Sequence, residues 1–351
     1  MQSGAKRIIH ASVFTWRAKG AFQHGVPHKI SNGLIRNGHH VINFCDRDTA
    51  RAVSWFGHRK WGVGRTNEVF LKLCQDVVPD GIVFGHADII TADTIREIRV
   101  RLPHVRMLQW NVDPVFDEPN ARRIEAKLDV VDATLISTAG NALQRFARGG
   151  RTVGFLPNPT DPSIERGHAY ACHDLPIDLL WVVGSPKDTR HYCGRPWNVE
   201  ELANLIVRKV PELRTGFYGM LGKPGIVGGA YQRILESARM GLNISKRNDF
   251  YLYSSDRLAQ LMGNGLLTFI DRATGYTDLF SEDMAAFHSD VDELIDKIRF
   301  FRTNDASRRE VARRGAETYR ALFNERRVAA YITDVLFDRL ERADYPWPTL
   351  V

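Results

Sequence analysis

The sequence lacks any apolar run near the roughly 18 residues that a membrane-spanning helix requires, so its 351 residues carry no spanning-helix signal. Cysteine is scarce. The four present (Cys45, Cys74, Cys172, Cys193) show no CxxC spacing, which argues against a disulfide framework and for reduced thiols. Low-complexity segments are missing too, and 44% hydrophobic with 25% charged residues is an ordinary globular composition. The opening MQSGAKRIIHASVF reads as a short basic lead into a strand, without an h-region or small-residue cleavage site. It predicts a cytoplasmic protein, free or bound peripherally at the inner face of the plasma membrane. No nucleic-acid motif and no single-face basic stripe is present, so no nucleic-acid partner is expected.

What is present is a net charge of +7, which suggests an anionic partner such as a nucleotide or phospholipid headgroups. The cations are spread along the chain apart from Arg308, Arg309, Arg313 and Arg314. Their helical spacing predicts a solvated helix face able to touch an acidic membrane. His168, Cys172, His173, His191 and Cys193 crowd together, but irregular spacing and the strand pattern DLLWVVG between them argue against zinc. No metal or cofactor is expected.

The length predicts two domains. Short β-rich runs (KRIIHASVF, HHVINFCD, DGIVFGH, HVRMLQWNVD, DATLISTAG, RTVGFLPN) alternate with helical patterns (ISNGLIRNG, NEVFLKLCQDV, TADTIREIRVRL with Thr91 as N-cap). That alternation means βαβ units and a parallel sheet. Three prolines within FLPNPTDPS (155–163) break both patterns and read as a linker. Beyond it the alternation restarts with DLLWVVGS, VEELANLIVRKVPE, LRTGFYGM, GAYQRILESAR and MGLNIS, and the chain ends in three amphipathic helices. The fold class is therefore α/β: two doubly wound, Rossmann-like domains with parallel sheets facing a central cleft, the default ligand site.

The stretch YLYSSDRLAQLMGNGLLTFIDR (251–272) puts Ser254 and Ser255 before a short helix, Gly263-Asn264-Gly265 after it, and then a buried strand. Serines at a helix start cap orphan N–H groups, and those groups attract phosphate. Asp271 and Arg272 would emerge at the strand's carboxyl end, facing the cleft. The Asp46-Arg47-Asp48 triplet could mark a metal-binding DxD site but fits better as a charged loop ending the second strand.

This order of elements is similar to that of the GT-B glycosyltransferases. Over residues 180–335 the chain resembles the glycosyltransferase group-1 C-terminal domain, particularly the CgeB-like, spore-maturation-protein-like branch. The resemblance rests on the 251–272 stretch, on DELIDKIRFF, and on an RRxxAxxG helix within SRREVARRGAETYRALF. In the first half WNVDP (110–114) and PDGIVFGH (79–86) carry it more loosely. The resemblance implies residues 1–160 as an acceptor-side domain, 161–335 as a nucleotide-sugar donor domain, and 336–351 as a tail packing back on the first. It places Ser254, Ser255 and Arg257 at the donor diphosphate, with Tyr253 beside them. Gly184, Ser185 and Lys187 fall in the first phosphate-side loop, and Tyr218 and Gly219 where the nucleobase sits. Where group-1 enzymes carry a ribose-binding Glu this chain has Gln260, and the earlier partner carboxylate falls on Leu252, which implies an unusual donor. The implied activity is sugar transfer from a nucleotide-sugar to a glycan or lipid-linked acceptor in cell-surface polysaccharide or lipopolysaccharide synthesis.

Charge building on the departing phosphate would be met by Arg, Lys and helix N-termini. Lys187, Arg190, Arg195, Lys246 and Arg247 are the candidates. An inverting enzyme needs a general base, for which Asp113, His86 and His24 lie near strand ends; the group-1 resemblance favours retention, which needs none. The loop RAKGAFQHG, with Lys19 and Gly20, lies where GT-B proteins approach donor phosphate. A degenerate, non-catalytic nucleotide- or glycan-binding protein and a sugar-nucleotide epimerase stand as the alternatives.

Overall fold

The structure, a computed structural model, describes residues 4–17, 20–342, 344–348 and 350; Lys19 lies outside them. The chain divides into two compact units, residues 1–157 with 325–351, and residues 158–324.

In unit 1 the period-2 runs become β1 (Arg7–Ser12), β2 (His40–Cys45), β3 (Gly81–Gly85), β4 (Arg106–Asn111), β5 (Ala133–Ile136) and β6 (Thr152–Phe155). Helices α1 (Val26–Arg36), α2 (Asp46–Ala52), α3 (Val63–Val77), α4 (Ala92–Arg101) and α5 (Glu118–Leu128) connect them. The sheet order is β2-β1-β3-β4-β5-β6 with every pair parallel. Ile8, Ile9, Ile82, Val83, Met107 and Leu108 are fully buried, as neighbouring residues on a sheet covered on both faces must be. Thr91 caps α4, its Oγ1 accepting from Thr94 N–H at 3.3 Å.

Two helices depart from the sequence pattern. Asp46-Arg47-Asp48 is the first turn of α2, not a loop, because acidic side chains suit a helix N-terminus. The segment EPNARRIEAKL, where no element is evident from periodicity, forms α5 behind Pro119 in its first turn.

In unit 2, β7 (Ile177–Val182) is followed by a two-stranded antiparallel ribbon, β8 (Thr189–Tyr192) and β9 (Arg195–Asn198). Then come α6 (Val199–Lys209), β10 (Thr215–Tyr218), α7 (Gly228–Glu236), β11 (Ala238–Asn243), α8 (Arg257–Gly263), β12 (Leu267–Asp271), β13 (Ala286–His288), α9 (Val291–Thr303) and α10 (Asp305–Phe323). The sheet order is β10-β7-β11-β12-β13, again wholly parallel.

Arg308 is fully buried, not part of a solvated face. Its guanidinium reaches the Ala169 and Cys172 carbonyls at 3.2 and 2.8 Å and the Asp305 carboxylate at 2.8 Å. Arg239 continues this network, joining Asp305 at 2.7 Å to Asp178 at 3.0 Å. Arg309 turns to the Tyr170 carbonyl at 2.7 Å, while Arg313 and Arg314 share Glu310 on the surface. Burial alone would raise the Asp178 carboxyl, but hydrogen bonds from Arg214 and Arg239 outweigh it and hold it below its ordinary value.

Helix α11 (Glu325–Leu336) returns the chain to unit 1. The resemblance carries the second domain on to residue 335; the compact unit ends instead between Asn324 and Glu325. The reason is α1: a Cβ on Gly33 would stand 2.0 Å from the Glu325 carbonyl oxygen, so the helices meet backbone to backbone. Further on, Leu350 bridges antiparallel to Gly154 and Trp347 is buried against Tyr331.

A polar chain crosses the core of unit 1. Trp110 Nε1–H can only donate, so His10 Nε2, 3.1 Å away, accepts. The ring proton then sits on Nδ1, 2.8 Å from Ser31 Oγ, which in turn donates to Asn43 Oδ1 at 2.7 Å. Burial, aided by His28, pushes His10 down to about 3. Between pH 6.5 and about 3 the unfolded chain takes a proton that the folded unit refuses. Stability should therefore fall with acidity by about 1.4 kcal/mol per pH unit from this group. Asp46, raised from 3.8 to about 6 by burial, opposes that loss between those two values. Replacing His10 by Gln should shrink the stability gap to wild type as the pH is lowered from about 7 to about 5. Urea midpoints at the two pH values read this directly; an unchanged gap would refute it.

Candidate functional site

In a doubly wound sheet the crevice lies where the strand order reverses, outside the carboxyl ends. In unit 2 that point is between β7 and β11. Arg257, the first residue of α8, spans it, donating to the Val182 carbonyl of β7 at 3.1 Å and to the Ile244 carbonyl beyond β11 at 2.7 Å. Among the described residues no carboxylate pairs with this guanidinium.

Beside it stands Arg190, only 6% exposed, delivered by β8. The ribbon is pinned across the carboxyl edge: His191 N–H donates to the Lys246 carbonyl at 2.9 Å, and Cys193 N–H to Asp271 Oδ2 at 2.8 Å. Arg190 pairs with Asp188 at 2.9 Å. Burial, and next the charge of Arg257, holds its guanidinium below its ordinary value. Two mutually repelling cations, of which Arg190 alone is paired with a carboxylate, form a place that an anion would stabilise.

Gly184 and Ser185 follow β7 directly, Ser185 Oγ accepting from the Lys187 N–H at 3.3 Å, and the Lys187 side chain is exposed. Tyr218 ends β10. Gly219 has φ +78°, and a Cβ there would meet the Val183 carbonyl oxygen at 2.1 Å, so only glycine lets this loop press against the end of β7.

Several expectations need correction. The serines do not cap α8: Asp256 holds the N-cap position with no side-chain cap bond, and α8 is only seven residues long. Ser254 Oγ is buried, facing Asn243 Oδ1 at 3.4 Å and donating to the Ser255 carbonyl at 2.8 Å. Ser255 Oγ lies 3.4 Å from Arg257 Nη1, and Tyr253 is buried. Gln260 is occupied within the protein, accepting from Tyr231 Oη at 3.0 Å and donating to Asp256 at 2.9 Å. Leu252 is core, its carbonyl accepting from Tyr276 Oη at 2.9 Å. Arg247 is held by Asp249 through two hydrogen bonds. Asp271 is buried as an anchor for the ribbon, and Arg272 pairs with Glu282 and Glu293.

In unit 1 the order reverses between β1 and β3, where Ser12 Oγ donates to the Gly85 carbonyl. His86 follows with φ +51°, a left-handed conformation that non-glycine residues rarely adopt. Its Nδ1 lies 3.7 Å from Asp113 Oδ2, so two of the three base candidates come together. Burial lowers the imidazole, with Asp113 and Asp88 working against it. Asp113 is about half exposed at 49%, and its N–H donates to Asn111 Oδ1 at 2.9 Å in a turn. Arg123 of α5 stands 3.8 Å from both Asp113 and Asp88, and Arg47 pairs with Asp88 at 3.2 Å. His24 stands apart, beside His28 at the start of α1.

The triplet's carboxylates serve the fold. Asp46 accepts from Ile89 N–H at 3.0 Å, and Asp48 accepts from Thr15 Oγ1 at 2.6 Å and Trp16 N–H at 3.2 Å. Arg123 and Asn243 escape sequence reasoning: one because its helix did, the other because an Asn at a strand end has no spacing signature.

Against known proteins, residues 195–334 match the family described as Glycosyl transferase-like. No curated protein matches the chain by sequence. Among solved structures, a glycosyltransferase from Rickettsia africae superposes with TM-score 0.59 at 8% identity, covering 97% of this chain and 100% of that one. An Anabaena protein, HepE, in complex with UDP-glucose gives 0.55 at 9%, covering 95% and 100%. The fold is GT-B. A UDP-N-acetylglucosamine 2-epimerase shares it, with TM-score 0.51 at 10% identity over 98% and 99% of the chains. In GT-B terms the Arg190–Arg257 pair lies in the C-terminal Rossmann-like unit, and the matched segment 195–334 begins at β9 and runs into α11.

Proposed function

We propose that the protein is a glycosyltransferase that takes a sugar from a nucleoside-diphosphate donor bound in unit 2 and gives it to a glycan or lipid-linked acceptor. The observation that carries this is Arg257, whose guanidinium at the switch point meets no carboxylate among the described residues, with Arg190 pressed beside it. Both cations would face charge that grows as the sugar–phosphate bond breaks, the stage at which fixed donors lower a barrier most. With two guanidinium groups serving the phosphates the reaction would need no essential metal. The backbone of Gly184 and Ser185 and the exposed Lys187 would complete the phosphate side, and the Tyr218–Gly219 loop would sit against the base. Kinship with the CgeB-like branch and a place in envelope polysaccharide synthesis belong to the same proposal.

On the acceptor side Asp113 is the group to take the hydroxyl proton, with His86 and Arg123 holding its carboxylate. Asp113→Asn keeps the shape but not the basicity. It should lower kcat by about 10²–10⁴-fold while nucleotide binding is unchanged. Loss of nucleotide binding in this variant would contradict the division of roles.

The deciding experiment is a thermal-shift screen against UDP, GDP, CMP, dTDP and ADP. Stabilisation by one nucleotide, followed by acceptor-dependent release of that nucleotide from its sugar conjugate, supports the transferase. Stabilisation without turnover points to a non-catalytic binding protein, and conversion of the donor without any acceptor points to an epimerase.

A further inference from the structure

Residues 55–61, WFGHRKW, are all exposed. Trp55 is 88%, Phe56 78% and Trp61 71% accessible. Three large aromatics in seven exposed residues is not the pattern of a surface that faces only water. The segment is not fraying, either. Gly57 turns with φ +66° and its N–H closes on the Ser54 carbonyl at 3.2 Å. Trp61 N–H bonds the His58 carbonyl at 3.1 Å, and the Phe56 and Trp61 rings meet edge to face at 5.6 Å. At the base Gly62 is buried so tightly that a Cβ would come within 1.9 Å of the Ala50 carbonyl oxygen. A closed turn on a packed base holds these rings in solvent.

Charge says what the turn faces. From Thr49 to Asn67 the chain has no acidic residue, and among the described residues Arg59, Lys60 and Arg65 pair with no carboxylate. An aromatic–cation pair is held on the helix that precedes the turn, α2: Trp16, 69% exposed, with Arg17 at 5.3 Å from its ring. Its loop is tied to α2, from which the turn emerges, by the Asp48 bonds to Thr15 and Trp16. Indole and phenyl rings interleaved with unpaired cations match the chemistry of an anionic bilayer surface, where rings enter the headgroup layer and cations meet lipid phosphates. A neutral glycan would use the ring faces and leave the cations without a counterpart.

We propose that the Trp55–Trp61 turn, with Trp16 beside it, docks unit 1 onto membranes bearing anionic headgroups. The docking stands apart from the transferase reading and would hold for a non-catalytic protein too.

The test is co-sedimentation of the full chain with vesicles of phosphatidylcholine alone and of phosphatidylcholine with phosphatidylglycerol. Wild type should pellet with the mixed vesicles only, with a blue shift of tryptophan emission. Arg59→Gln with Lys60→Gln should weaken binding by about twenty-five-fold, at about five-fold per cation. Trp55→Ser, Phe56→Ser and Trp61→Ser together should abolish pelleting with the mixed vesicles while leaving the melting temperature unchanged. Equal binding to both vesicle types, no binding to either, or full binding by the aromatic variant would overturn the proposal. So would quenching of the turn's emission by a neutral oligosaccharide without vesicle binding.

Discussion

Arg257→Ala should reduce kcat/KM for the nucleotide sugar by about a hundred- to a thousand-fold, the range seen when one preorganised donor to a developing anion is removed. The loss should fall mainly on kcat if the guanidinium meets charge that builds in the transition state, and mainly on KM if it only holds the ground-state diphosphate. Arg257 also ties the Val182 and Ile244 carbonyls across the switch point, so a purely structural role must be separated. Arg257→Lys does this, because an ammonium keeps the charge but cannot reach both carbonyls with a planar fork. Partial recovery of turnover by Lys, with the melting temperature still depressed, assigns charge to catalysis and the fork to stability. Full activity in the Ala variant would remove the arginine from the mechanism.

The largest effect on stability should come from Gly33→Val. Glycine inside a helix is unfavourable by itself, and α1 retains one because the Glu325 carbonyl oxygen and the Ala329 Cβ would lie 2.0 and 2.8 Å from any Cβ there. Backbone cannot yield as a flexible side chain can, so α11 must shift away from α1. A penalty of about 3 kcal/mol follows from overpacking of this kind, or a drop of about 6–12 °C in melting temperature for a unit of this size. Gly64→Ala in α3, with open space around the added methyl, is the matched control and should be neutral or slightly stabilising. Equal behaviour of the two variants would contradict the close α1–α11 contact.

Much of the fold is legible from periodicity because both sheets are buried on two faces, and such strands read as short β-rich runs between amphipathic helices. What stays hidden has local physical causes. The β8–β9 ribbon has no hydrophobic alternation, since its hold on the sheet edge comes from backbone hydrogen bonds at His191 and Cys193. Helix α5 is masked by its charged face, although Pro119 and the Ile124–Leu128 spacing mark it in hindsight. At the site, position along the chain marks Arg257 and Arg190 as candidates but not which cations are already neutralised. Arg247 and Arg257 look alike in sequence; only the structure gives Asp249 to one and, among the described residues, no carboxylate to the other. The serines mislead for a similar reason, because hydroxyls ahead of a helix serve a strand-end Asn as readily as a cap.

The return of α11 to unit 1 makes unit 2 an insertion: one domain is spliced whole into another after Pro157 and released before Glu325. Its two ends are neighbours, Thr160 pairing in parallel with Asn324 and its N–H bonding the Phe323 carbonyl at 2.8 Å. A guest whose ends meet can be excised without stretching its host. Residues 158–324 should therefore be expressible as a continuous fragment. The host requires a short graft joining residue 157 to residue 325, and truncation from either terminus would strip it of β1 or α11 while leaving the guest intact.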